Sequence, residues 1–122
     1  MRKESELRQS LRDYTALVIQ AAEGLVTIPD FIKRYGAFWY YEALDGHEDD
    51  EAGRSLLQIY REVIEAHERV QRTVVDITFL DPEEQRQQYM SAGRIDLECA
   101  KGRLNELVGA YHLRSHQVSL ST

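Results

Sequence analysis

The sequence predicts an all-α protein: an antiparallel bundle of four main helices with one short extra helix before the last, forming one domain over residues 1–122. Three observations carry this expectation. Apolar residues recur at alternating spacings of three and four, which places them on one face of a helix. Only two prolines and seven glycines occur among 122 residues, so little of the chain resists helix formation. Where the periodicity breaks, a glycine is followed by a helix-capping residue.

The first helix is expected from Glu4 to Ala22, with Leu7, Leu11, Tyr14, Val18, Ala21 and Leu25 on its buried face. Gly24 is placed to end it, because glycine accepts the left-handed conformation that closes helices. Thr27 then reads as an N-cap, with Pro29 in the first turn and Asp30 at N3 as in a capping box. The second helix is expected from Ile28 to Leu44, with Phe31, Tyr35, Phe38 and Glu42 on one stripe and Asp45-Gly46 as its stop. The third is expected to be the longest, from about Asp50 to Thr78. Its seam of Leu56, Tyr60, Val63, His67, Val70, Val74 and Ile77 follows a heptad rhythm. Asp81-Pro82 is expected to start a short fourth helix that runs through Met90. The fifth carries Leu97, Ala100, Leu104, Leu107, Val108 and Tyr111 on its stripe, and the polar tail from His112 to Thr122 is expected to fray.

One joint is used twice. Gly24-Leu-Val-Thr27 and Gly93-Arg-Ile-Asp96 both read glycine, any residue, a β-branched apolar residue, then an N-cap. This is the grammar of a helix–helix corner.

Composition narrows the function. The net charge of −6 argues against a protein that binds duplex nucleic acid, which needs a basic face, and favours basic partners. The single cysteine, Cys99, forms no internal disulfide and fits a reducing, cytoplasmic location. Near the start of the fifth helix it is expected to be half-buried and structural. The opening residues contain no apolar secretion segment, and no run is long enough to span a bilayer, so no membrane association is expected. No nucleophile motif, phosphate-cradling loop, Cys-x-x-Cys pair or His-Glu-x-x-His helix is present. A non-enzymatic protein without a cofactor is expected, either monomeric or homodimeric.

The segment from Phe31 to Glu51 is the most informative. It holds six of the eleven aromatic residues and then runs into Glu42-Ala-Leu-Asp-Gly-His-Glu-Asp-Asp-Glu51, which carries six carboxylates and no Lys or Arg. Tyr40 and Tyr41 diverge by about 100° around a helix, so at least one is expected outside the core. Tyr40, Tyr41, Asp45, His47, Glu48, Asp49, Asp50 and Glu51 are therefore the candidate partner-binding residues. His67 is the polar exception in the third seam and Glu42 that in the second. Their expected meeting gives a buried His67–Glu42 hydrogen bond that raises the histidine pKa. The alternative is a metal site with Glu42 and His67 as ligands, joined by His47 or Asp45.

The run Glu23-Gly24-Leu25-Val26-Thr27-Ile28-Pro29-Asp30-Phe31-Ile32-Lys33-Arg34-Tyr35 resembles the opening of small helical colicin D-type bacterial immunity proteins. The resemblance covers about the first third of the chain, and Leu44-Asp45-Gly46-His47-Glu48 departs from the family's pattern. It implies a cytoplasmic inhibitor that plugs the basic active site of a nuclease toxin. The other functions open to the sequence are a small metal- or ligand-binding bundle and a homodimeric scaffold.

Overall fold

The computed structural model describes residues 2–36, 51–80 and 86–121. The fold is all-α. Among the described residues there are seven α-helices and one π-helical segment. They are α1 (Arg2–Ala22), α2 (Ile28–Tyr35), α3 (Glu51–Ile59), α4 (Arg61–Val70), the π segment Gln71–Val75, α5 (Arg86–Ser91), α6 (Leu97–Ala110) and α7 (Leu113–Leu120).

Helix α1 buries Leu7, Leu11, Val18 and Ala21 as its spacing requires, together with Thr15 and Leu17. Leu25 departs from the expectation and is 73% exposed. Gly24 has φ +83°, so the chain leaves the helix axis there and Leu25 no longer shares the buried face. Thr27 caps α2 by accepting the Asp30 N–H at 3.3 Å. The second joint repeats this geometry: Gly93 has φ +84°, and Asp96 accepts the Cys99 N–H at 2.8 Å. Helix α2 covers Ile28–Tyr35 with Gly36 as its C-cap, and the expected continuation to Leu44 lies outside the described residues.

The long third helix is interrupted twice. Leu56, Tyr60, Val63, His67, Val70 and Val74 are all buried, as the heptad demands. At Tyr60 (φ −101°, ψ 17°) the helix bends without losing continuity, since Tyr60 N–H still donates to Leu56 O and Ile64 N–H to Tyr60 O. Beyond Val70 the helix enters the π segment. There Thr78 becomes buried, while Ile77, the expected seam residue, is only partly covered.

Helix α6 buries Ala100, Leu104 and Val108. Leu97 is 40% exposed although Ile95 and Ala100 on either side of it are buried, and Cys99 is exposed, not half-buried. The tail also departs from expectation. After His112, which holds a left-handed φ of 53°, it forms α7, and both Leu113 and Leu120 are buried. Two leucines seven residues apart put both on one side of a two-turn helix.

The core has two parts. The larger lies among α1, α2, the α4–π stretch and α6, around Phe31, Tyr35, Val70 and Leu104. The smaller joins Leu7 and Leu11 of α1 to Leu56, Tyr60, Val63 and Ile64, and Leu120 of α7 closes it. No described helix is long and apolar enough to cross a membrane.

Candidate functional site

The most unusual chemistry among the described residues lies inside the larger core. His67 is 2% exposed and Thr15 is fully buried. The heptad rhythm aims His67 inward from α4. Thr15 points inward from α1 because it stands four residues after Leu11 and three before Val18. Thr15 Oγ1 lies 2.9 Å from His67 Nε2, and Tyr35 Oη lies 2.7 Å from His67 Nδ1. Tyr35 Oη also donates to the His67 carbonyl oxygen at 3.2 Å. Three helices thus each send one polar side chain to a single buried point.

Two proton arrangements satisfy this site. With its proton on Nε2, the ring donates to Thr15 and accepts the Tyr35 hydroxyl proton at Nδ1. With its proton on Nδ1, the ring donates to Tyr35, whose own proton goes to the His67 carbonyl. Both keep the imidazole neutral. Burial lowers the His67 pKa from 6.5 to about 3, because desolvation disfavours the imidazolium. Burial, and secondarily the neighbouring Tyr14, raises the Tyr35 pKa well above its ordinary 10.0. Tyr14 meets Tyr35 edge-on at 5.9 Å between ring centroids, and Phe31 lies 5.1 Å away on the other side.

This corrects the expected His67 environment. The histidine pKa goes down, not up, because desolvation by burial disfavours the charged ring. The metal alternative draws on Glu42, Asp45 and His47, which lie outside the described residues. Both ring nitrogens lie at hydrogen-bond distance from hydroxyls, and among the described residues no group of three His, Cys, Asp or Glu side chains is placed to hold an ion. Thr15, the partner that sequence reasoning missed, was signalled by its own position in the α1 stripe.

A second polar cluster lies one heptad away, at the edge of the smaller core. Arg8 Nε donates to Leu120 O at 3.2 Å, its Nη2 donates to Ser119 O, and its Nη1 donates to Tyr60 Oη at 3.4 Å. The Tyr60 hydroxyl donates to Glu4 Oε1 at 3.1 Å. Arg8 therefore caps the carbonyl end of α7, where a cation is favoured by the helix dipole. Across a cleft of about 210 Å³ lined by Arg8, Ile59, Val63 and Leu120, His116 Nε2 faces Glu62 Oε1 at 3.3 Å.

Of the candidate partner-binding residues, Glu51 is described. It is exposed and opens α3. Tyr40, Tyr41, Asp45, His47, Glu48, Asp49 and Asp50, and the proposed ligand Glu42, lie outside the described residues. No known family model, curated protein or solved structure matches this chain.

Proposed function

We propose that this chain is a non-enzymatic protein-binding module of the immunity or inhibitor type, which neutralises a basic, nuclease-like partner. One observation carries the reading. Glu42, Asp45, Glu48, Asp49 and Asp50 stand without an intervening Lys or Arg and supply five of the six net negative charges. The rest of the chain is nearly neutral. Charge gathered so tightly steers and orients a basic partner more than it serves solubility. The exposed Glu51 at the start of α3 supports extension of the same acidic surface onto the helical scaffold. In the partner's basic site the carboxylates would stand where phosphates normally bind. Tyr40 or Tyr41 would supply the anchoring contact, as tyrosine does at many interface hot spots.

The test is Asp49→Lys combined with Asp50→Lys. Basic proteins captured by the wild-type chain from a bacterial lysate are identified, and the rate constants of each are measured against both forms. The double variant should keep the wild-type helical signal and lose affinity mainly through slower association, with the largest difference at low salt. Capture of no basic protein, or an unchanged association rate, would overturn the reading.

A further inference from the structure

The π segment after α4 poses a problem of hydrogen-bond counting that its neighbours solve. Asp76 N–H donates to Gln71 O at 2.9 Å, five residues back, whereas Thr78 N–H donates to Val74 O at 3.0 Å, four residues back. Between those two bonds lie two carbonyls, of Arg72 and Thr73, but only one amide, that of Ile77. At least one acceptor is therefore left over, as a π insertion requires. Arg103 of α6 meets it: its Nη1 donates to Thr73 O at 2.9 Å. A second side chain staples the wide turn, with Gln71 Nε2 donating to Asp76 Oδ1 at 2.7 Å.

The apolar pattern of the same stretch fits another register. Val63, His67, Val70, Val74 and Ile77 form an unbroken heptad seam, which a plain α-helix would bury in full. The π insertion instead buries Thr78 and leaves Ile77 partly covered. In return it permits a docked loop. Thr78 and Ile95 form a parallel bridge, with Ile95 N–H donating to Ile77 O at 2.9 Å and Phe79 N–H donating to Ile95 O at 3.0 Å. Arg94 Nε adds a bond to Ile77 O at 3.0 Å, and Phe79 stacks on Tyr89 of α5 at 5.0 Å.

We infer that residues 71–78 form a two-register switch. The π register docks the α5 loop through the Thr78–Ile95 bridge, and the α register completes the heptad with Ile77 and releases that loop. A one-residue change of register turns everything after it by about 100°, so the two states exclude each other. Gln71 and Arg103 are the side chains that hold the π state. The inference rests on the fold alone, not on the proposed binding function.

Through-hydrogen-bond NMR couplings identify which carbonyl accepts the Asp76 N–H. Wild type should show Gln71. The variant Gln71→Leu with Arg103→Met removes both supports at partly covered positions, and should move the bond to Arg72. Exchange of the Ile95 amide should accelerate about tenfold or more, while the Ile64 amide should stay protected. Adding Ile77→Ser removes the apolar reward of the α register and should return the bond to Gln71. The switch is overturned if Asp76 remains on Gln71 in the double variant, or if Ile77→Ser fails to restore it. Equal loss of protection at Ile64 is plain destabilisation and overturns it too.

Discussion

Two polar clusters tie α1 to the α3–α4 stretch, and they differ in every respect but position. Arg8 meets Tyr60 and Thr15 meets His67, so the pairs are offset by seven residues on both sides. Equal offsets in the same sense mean that α1 and the α3–α4 stretch run in one direction. The inner cluster of Thr15, Tyr35 and His67 is buried, and its histidine is neutral. The outer cluster of Glu4, Arg8 and Tyr60 is charged and borders solvent. The inner one is costly to break, because a buried group deprived of its partner suffers full desolvation. The outer one is cheap to break, because water replaces what is lost.

Acid should separate the clusters most. The His67 pKa is about 3 when folded, against 6.5 unfolded, so below 6.5 the unfolded chain takes up the proton first. The contribution of the neutral histidine is complete above pH 6.5 and is lost as pH falls toward 3. Over that span it amounts to something on the order of 4 kcal/mol. Denaturant titrations from pH 7 downward should show wild type losing stability faster than His67→Gln. Parallel curves would mean that the ring is not held neutral.

Thr15→Val comes next. It keeps the shape but leaves His67 Nε2 without its hydroxyl, and should cost about 2 kcal/mol at pH 7 by chemical denaturation. A neutral result would show that the hydroxyl contributes nothing to the inner cluster.

Arg8→Met tests the outer cluster, and should cost about 1 kcal/mol with the loss shrinking in 1 M salt. Arg8→Lys should restore little of it, because one ammonium lacks the fork that reaches both α7 carbonyls and Tyr60. A deficit from Arg8→Met as large as that of Thr15→Val would erase the contrast between the clusters. The smallest effect is expected for Glu4→Gln, roughly 0.5 kcal/mol or less, since an amide oxygen still accepts the Tyr60 proton. A loss above 1 kcal/mol would place Glu4 among the main supports of the bend at Tyr60.

Local chemistry was the most legible part of the sequence. Gly24 with Thr27, and Gly93 with Asp96, announce their joints because left-handed glycine and side-chain capping act within four residues. The inward face of the third stretch was legible through Val74 for a similar reason, since helical period is a local property. What followed was not. The π segment that precedes Ile77 and Thr78 carries a bond from Arg103 to Thr73 O, thirty residues apart in sequence, and one from Gln71 to Asp76, and no local pattern announces the first of these. Helix α7 hid behind a polar composition, although Leu113 and Leu120 already marked one face. His67 was legible as a core histidine, but its partner was not. The carboxylate Glu42 stood out as an anomaly, whereas Thr15 passed unremarked inside an apolar stripe. The tyrosines and acids of the candidate binding segment were legible as composition only.

The contact of Arg8 with the last turn of α7 also orders events during synthesis. The second turn of α1 leaves the ribosome early, but Leu120 and the carbonyls that Arg8 caps emerge more than a hundred residues later. Until then Leu7 and Leu11 lack one wall of their core. A nascent chain is thus able to settle most of the Phe31–Leu104 core, with Val18 and Ala21 of α1 in it, before α7 closes over Leu7 and Leu11. A ribosome-stalled chain halted before Leu113 emerges should accordingly expose the Leu7–Leu11 face to chaperones.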